Sequence, residues 1–174
     1  MRRVILALAF VSAACGSSSS TPASPSTSAV AQVGGNWAVT MRLTSATGGE
    51  CVGALFQEVI GGTNTGTLSV TQTSANLTAS LRSSGGLSCN YTGTAAASSM
   101  ALNATACSAP GLTGFRCANG ALRDIRIVSE SVSASVSGRT ATGAVVTTYD
   151  VVIGNTQTSV GTLTTNESLT GTLQ

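Results

Sequence analysis

The chain is 174 residues long, with eight arginines, six acidic residues and a formal net charge of +2. Lysine and histidine are absent, which excludes Ser-His-Asp and Cys-His catalytic sites, Ser-Lys pairs and histidine metal sites. The arginines are scattered and form no basic stripe, so we expect no nucleic-acid partner.

The first fourteen residues have the layout of a secretory signal peptide. Two arginines precede an apolar run over residues 4–11, and small residues occupy positions 12–14. The apolar run is much shorter than the ~20 residues that a membrane-spanning helix requires. We therefore expect residues 1–14 to direct export and to be removed from the mature protein.

A cysteine, Cys15, directly follows the small residues Ser12, Ala13 and Ala14. In this respect the chain resembles bacterial lipoproteins, in which the cysteine after a small-residue box is acylated and becomes the mature N-terminus. The resemblance implies that Cys15 carries a lipid, such as palmitate, that anchors the protein in a membrane. It also implies, from Gly16 in place of Asp, an outer-membrane or cell-surface location. A secreted protein without the lipid is the alternative.

Residues 15–33 are predicted to form a flexible linker between the anchor and the domain. They are mostly Ser, Thr, Ala and Pro and carry no charge, so they bury too little surface to offset the entropy of ordering. Pro22 and Pro25 are expected to stiffen the linker. Residues 34–174 then fit one domain.

The domain contains an even number of cysteines, which in an exported chain predicts two disulfides. They are Cys51, Cys89, Cys107 and Cys117. A zinc site is disfavoured because the spacing lacks a C-x-x-C pair. We expect Cys51 to pair with Cys89 and Cys107 with Cys117, because a direct cross-strand bridge needs one particular register. Pairing of Cys89 with Cys107 and of Cys51 with Cys117 is the alternative.

Apolar and polar residues alternate from Gly34 onward, which predicts antiparallel β-strands. Turns at residues 74–75 and 97–98 predict two hairpins, and the serines at 131, 133, 135 and 137 alternate with apolar residues in a later strand. The expected fold is an all-β antiparallel meander that closes as a small up-and-down barrel, with a β-sandwich as the alternative.

The first predicted strand begins with Gly35-Asn36-Trp37, which resembles the start of lipocalins and related small barrels. The resemblance implies a cavity for a hydrophobic ligand, which we expect Trp37, Tyr91 and Met100 to line. The alternative is that Trp37 simply fills one end of the core. Small residues at inward positions, such as Gly93, leave room for either a cavity or close packing.

Acidic side chains are the remaining candidates for catalysis. They are Glu50, Glu58, Asp124, Glu130, Asp150 and Glu167. Nothing in their spacing brings two of them together, so we expect solvated surface carboxylates, no enzymatic activity, no metal and no cofactor.

The sequence thus predicts a membrane-anchored envelope lipoprotein whose barrel binds a small or hydrophobic ligand. The alternatives are a structural or protein-interaction lipoprotein without a pocket and, least favoured, a carboxylate-dependent hydrolase.

Overall fold

A computed structural model of the protein describes residues 29–49, 51–52, 59–109, 113–117 and 119–174. The predicted signal peptide, the predicted lipid site at Cys15 and most of the predicted linker lie outside the described residues. Within these ranges, no helix has both the length and the apolar character needed to cross a membrane.

The described residues form nine strands. They are β1 (Gly35–Gly48), β2 (Thr63–Thr73), β3 (Asn76–Ser83), β4 (Ser88–Ala95), β5 (Ser99–Ser108), β6 (Phe115–Arg116), β7 (Leu122–Ser137), β8 (Thr140–Ile153) and β9 (Thr158–Leu173). Their alternation of buried and exposed side chains follows the apolar and polar pattern of the sequence. Both predicted hairpins are present, joining β2 to β3 and β4 to β5.

Eight of these strands, all except the two-residue β6, close into one antiparallel barrel. Neighbours in the sequence pair with one another, while β1 pairs with β9 and β5 pairs with β7 to complete the circle. The predicted all-β class and the up-and-down barrel are therefore confirmed, and the sandwich alternative is not what forms.

The strands differ in length, which gives the barrel two unlike ends. Strands β2 to β5 have 8 to 11 residues, whereas β1 and β7 to β9 have 14 to 16. The strands all reach about the same level at the end of the barrel where β1 begins, which we call the lower end. At the upper end the four long strands extend beyond the short ones.

Two neighbouring strand pairs separate in the upper half of the barrel. The β5–β7 register covers only residues 99–103 and 131–135. The β1–β2 register ends at Arg42 and Thr63, and beyond the backbone hydrogen bonds of Leu43 with Gly61 and Gly62 the strand β1 continues without this neighbour. Register shifts beside Thr105 in β5 and Val128 in β7 bend these strands where their pairing stops. Four strands lie between the two separations in either direction around the eight-stranded circle, so they are on opposite sides of the wall.

Apolar side chains fill the lower and middle barrel. The largest of them include Trp37, Met41, Leu68, Leu77, Leu81, Tyr91, Met100, Leu102 and Leu169. The indole Nε1 of Trp37 donates a hydrogen bond to the carbonyl oxygen of Val33 at 2.8 Å. The side chain of Gln72 accepts from Val33 N at 2.7 Å and donates to Ala31 O at 2.8 Å. The last residues of the predicted linker therefore pack across the lower end, because Val33 offers apolar surface that the barrel buries completely.

The disulfides pair Cys89 with Cys107 and Cys51 with Cys117. Two disulfides are thus confirmed, but the preferred pairing was wrong and the alternative is what forms. The shift beside Thr105 places Cys89 directly opposite Cys107, with a Cα–Cα distance of 4.1 Å, which suits a non-hydrogen-bonded cross-strand pair. Cys51 meets Cys117 at the upper end, in a second apolar cluster with Ile125, Val151 and Leu163.

Candidate functional site

The three residues predicted to line an apolar cavity lie inside the barrel as core residues. Trp37, Tyr91 and Met100 are each at most 2% exposed and belong to the lower apolar cluster. The small residue Gly93 serves close packing there, since an added Cβ would lie 1.9 Å from the carbonyl oxygen of Ala101. The structure therefore places these residues in packing contacts of the lower apolar cluster.

Between the lower and upper apolar clusters lies a set of polar residues that we call the polar layer. Its members are Tyr91, Glu130, Thr147, Tyr149, Thr165 and Glu167. Glu130 of β7 is the cross-strand partner of Thr147 in β8, which in turn is the partner of Thr165 in β9. Three adjacent strands thus place these side chains in one row on the inside of the wall.

Glu130 is the buried acid at the centre of the polar layer. It is 2% exposed, and its two carboxylate oxygens accept hydrogen bonds from two different walls of the barrel. The hydroxyl of Tyr91, from β4, donates to Oε1, and the hydroxyl of Thr147 donates to Oε2 at 3.0 Å. These bonds hold the carboxylate in a fixed orientation. The expectation that the acids are solvated surface groups was therefore wrong for Glu130.

Glu167 supplies a second carboxylate, one inward position below Thr165 on β9. Burial raises the pKa of Glu167 above its usual range, and the negative charge of Glu130 acts in the same direction. Burial also raises the pKa of Tyr149; the neighbouring hydroxyl of Thr165 acts in the opposite direction, and the charges of Glu167 and Glu130 add to the increase. The register places the two acids at nearby inward positions, on β7 and β9 with β8 between them, although their spacing in the sequence gave no sign of it.

The polar layer contains one polar atom that is buried and unsatisfied. Thr165 is 5% exposed, and its hydroxyl oxygen has no hydrogen-bond partner among the described residues. A buried hydroxyl without a partner costs about 1–3 kcal/mol, so its presence calls for an explanation in terms of function or strain.

Positive charge is missing around these acids. Among the described residues, no arginine lies within ion-pair distance of Glu130 or Glu167, and Arg126 instead pairs with Asp150 at 2.5 Å. Burial of carboxylates without a cationic partner is unfavourable and raises the pKa of one member of such a pair. The layer is therefore short of positive charge.

The two separations in the barrel wall give access to the polar layer from opposite sides. The first, which we call the β5–β7 slot, has a volume of about 280 Å³ and is lined by Glu130, Cys107, Ala106 and Val128 among others. The second, the β1–β2 slot, has a volume of about 190 Å³. Its lining includes Glu167 and Val59. Each slot thus combines one carboxylate with an exposed valine.

A larger concavity lies on the outside of the barrel. It has a volume of about 760 Å³ and crosses strands β8, β9, β1, β2 and β3. Threonines in adjacent strands form most of its polar lining, with the side chain of Arg82 at one side. Its lining contains no acid and no buried unsatisfied group, so it offers fewer groups for specific binding of a ligand than the polar layer does.

Metal binding by the cysteines is not supported by their chemical state. Cys89, Cys107 and Glu130 bring two sulfur atoms and a carboxylate oxygen within 4.8 Å of one another. Both sulfurs are committed to a disulfide, whereas a metal-ligating cysteine is a thiolate.

The alternation of inward and outward residues along the strands indicates that two of the acids face inward, which the sequence analysis did not predict. Glu130 is in phase with the inward residues Val132 and Ala134, and Glu167 is in phase with Leu169. Their inward positions were therefore readable from the period of two, even though their spacing in the chain was uninformative.

The chain matches no protein-family model, no curated protein and no solved structure. Its site is therefore defined by geometry and chemistry alone.

Proposed function

We propose that the protein is an exported lipoprotein, anchored in the outer membrane or at the cell surface through a lipid on Cys15, whose barrel binds a small ligand in the polar layer. The signal-like residues 1–14 and the cysteine that follows them support the anchor. The two disulfides are typical of an oxidising, exported compartment.

The observation that carries the ligand site is the position of two interacting acids at two openings. A polar layer between two apolar clusters reduces the stability that a fully apolar interior would give. The β5–β7 and β1–β2 slots lead from the surface to this layer. Binding of a polar ligand explains both the layer and its openings, whereas a purely structural barrel needs neither.

Binding is favoured over hydrolysis by the way the acids are distributed. A glycosidase needs both carboxyl groups on either side of one scissile bond. Glu130 lines one slot and Glu167 lines the other, so a sugar chain in either slot meets one carboxylate. We therefore propose that the protein is not an enzyme.

The anchor is tested by metabolic labelling of cells with radioactive palmitate. We expect the full chain to incorporate label and to fractionate with membranes, and globomycin to block its processing. The Cys15→Ser variant should lose both the label and the membrane association. Label that persists in this variant, or an unlabelled mature protein in the soluble fraction, contradicts the anchor.

The ligand site is tested by NMR of the mature protein in detergent, titrated with small neutral, anionic and cationic molecules. We expect the shifts of at least one class to change at residues of a slot, such as Ala106 and Val128. The variant Ala106→Trp should reduce the response by narrowing the β5–β7 slot. Ala101→Trp, an exposed change elsewhere on β5, is the control. A structural lipoprotein would show no response at either slot.

A further inference from the structure

We infer that the polar layer binds a small organic amine in its ammonium form, which enters through the β5–β7 slot and places its charge against Glu130. The inference rests on the proposed function and specifies the chemical class of the ligand.

Charge is the first argument. Glu130 and Glu167 interact inside the barrel, and no described arginine forms an ion pair with either of them. The remaining titratable groups that face them are the phenols of Tyr91 and Tyr149, which carry no positive charge in any state. A ligand that brings one positive charge therefore removes the electrostatic cost of ionising the second acid.

Hydrogen-bonding capacity is the second argument. An ammonium group is a donor only, and a primary one offers three N–H bonds. The polar layer presents a matching acceptor in the carboxylate of Glu130, which lines the slot. It also presents the hydroxyl oxygen of Thr165, which is buried and lacks a partner. The hydroxyl of Tyr149 is its polar neighbour but forms no hydrogen bond of normal geometry with it, so an ammonium donor that reached this atom would give it a better partner.

The lining of the β5–β7 slot is the third argument, and it distinguishes an amine from a bare metal ion. Four apolar side chains, Ala104, Ala106, Ile127 and Val128, line the slot together with Glu130 and the hydroxyl-bearing Thr105 and Ser129. With one carboxylate among them, these residues make a poor cage for a bare metal ion, whereas the apolar side chains suit a short hydrocarbon body. The volume of about 280 Å³ is also several times the ~30 Å³ that one water molecule occupies, so the slot accommodates a molecule rather than an ion alone.

The direct test is isothermal titration calorimetry of the mature protein with n-butylamine at pH 7. Two molecules of the same shape, n-butanol and butyrate, serve as neutral and anionic controls, and calcium chloride supplies a bare cation. We expect n-butylamine to bind more tightly than each of the three. Equal binding of butanol would overturn the amine assignment while leaving a small-ligand site intact. Binding of calcium alone would replace it by a metal site, and no binding of any probe would contradict both proposals.

Variants assign the contact to Glu130. Glu130→Gln keeps the size of the side chain and an acceptor for Tyr91, so we expect it to fold and to lose about tenfold or more in affinity for n-butylamine. Ala106→Trp should weaken binding through the slot, and Ala101→Trp should leave it unchanged. Wild-type affinity in Glu130→Gln would overturn the inference.

The dependence of binding on pH gives a second readout that a structural role of Glu130 would not produce. The ammonium stays charged below its own high pKa, while Glu167 becomes ionised as pH rises through its raised pKa. We therefore expect the affinity to increase with pH between about 4 and 8, with release of protons on binding at the acidic end. Glu167→Gln should flatten this profile. An affinity that is independent of pH in the wild type would contradict the arrangement.

Discussion

The lower and upper halves of the barrel share one pattern of alternating inward and outward side chains, but different kinds of residue occupy the inward positions. In the lower half, inward positions are apolar and end at Trp37, which is fully buried beneath Val33. In the upper half, the same inward phase carries Glu130, Thr147 and Glu167, and neighbouring strands separate. One half therefore stabilises the fold, and the other holds a polar site at a cost in stability.

The position of the disulfides fits this division. Cys89–Cys107 lies beside Glu130, and Cys51–Cys117 belongs to the upper apolar cluster. Neither bridge is at the lower end, where Trp37 and the segment around Val33 already close the barrel. Cross-links are thus placed where packing is interrupted by polar groups and where strand pairing stops.

The largest effect is expected in the lower half. Trp37→Ala should reduce the free energy of unfolding by about 3–5 kcal/mol, because it removes a fully buried aromatic side chain from a filled core. Trp37→Phe, which keeps a ring, should cost less. Denaturation by urea measures both, and a loss below about 1 kcal/mol for the alanine variant would show that the lower half is not the main source of stability.

Removal of the disulfides should destabilise the upper half by amounts that follow loop length. Their sequence separations are 66 for Cys51–Cys117 and 18 for Cys89–Cys107. Chain entropy then predicts losses of about 4 and about 3 kcal/mol for the two double-alanine variants. Denaturant unfolding of both variants tests the order. A greater loss for the shorter loop would indicate that Cys89–Cys107 matters mainly through contacts with the polar layer.

A smaller effect is expected from the hydrogen bonds of the polar layer. Glu130→Ala leaves the buried hydroxyl of Tyr91 without its acceptor and should cost about 1–3 kcal/mol. Tyr91→Phe should cost less, since Thr147 still donates to Glu130. Combining the two changes should cost less than the sum of the separate losses. Additive losses in this double-mutant cycle would show that the two side chains do not interact.

The smallest effect is a dependence of stability on pH. Because the pKa of Glu167 is raised in the folded protein, the folded state binds more protons than the unfolded state between the two pKa values. Stability is therefore greatest below the unfolded pKa, near 4.3, and falls as pH rises through the raised pKa. Thermal unfolding across this range measures the fall. Glu167→Gln should remove it, and a fall that persists in that variant must come from another group.

The barrel was predictable because its alternation and turns are local signals. The serines at 131, 133, 135 and 137 face outward as the pattern indicated, and the turn at residues 74–75 joins β2 to β3. Closure between β5 and β7 removes the exposed edges that an open meander would leave, although the sequence alone did not exclude a sandwich.

The disulfide pairing and the polar layer were not predictable in the same way. Cys89 faces Cys107 only because β5 contains one extra residue, Thr105, which has no register partner in β4. A register shift of a single residue cannot be recognised from the composition of the strand. Tyr91 and Glu130 are 39 residues apart and meet across the barrel, so only the closed fold brings them together.

The acids of the polar layer are proposed to form a binding site for a cation. NMR titration of the side-chain carboxyl carbons of Glu130 and Glu167 with pH, with and without n-butylamine, tests it most directly. We predict a raised apparent pKa for Glu167 in the free protein, and a decrease of that pKa when the amine is present. Carboxyl titrations that are unchanged by saturating amine would contradict the claim.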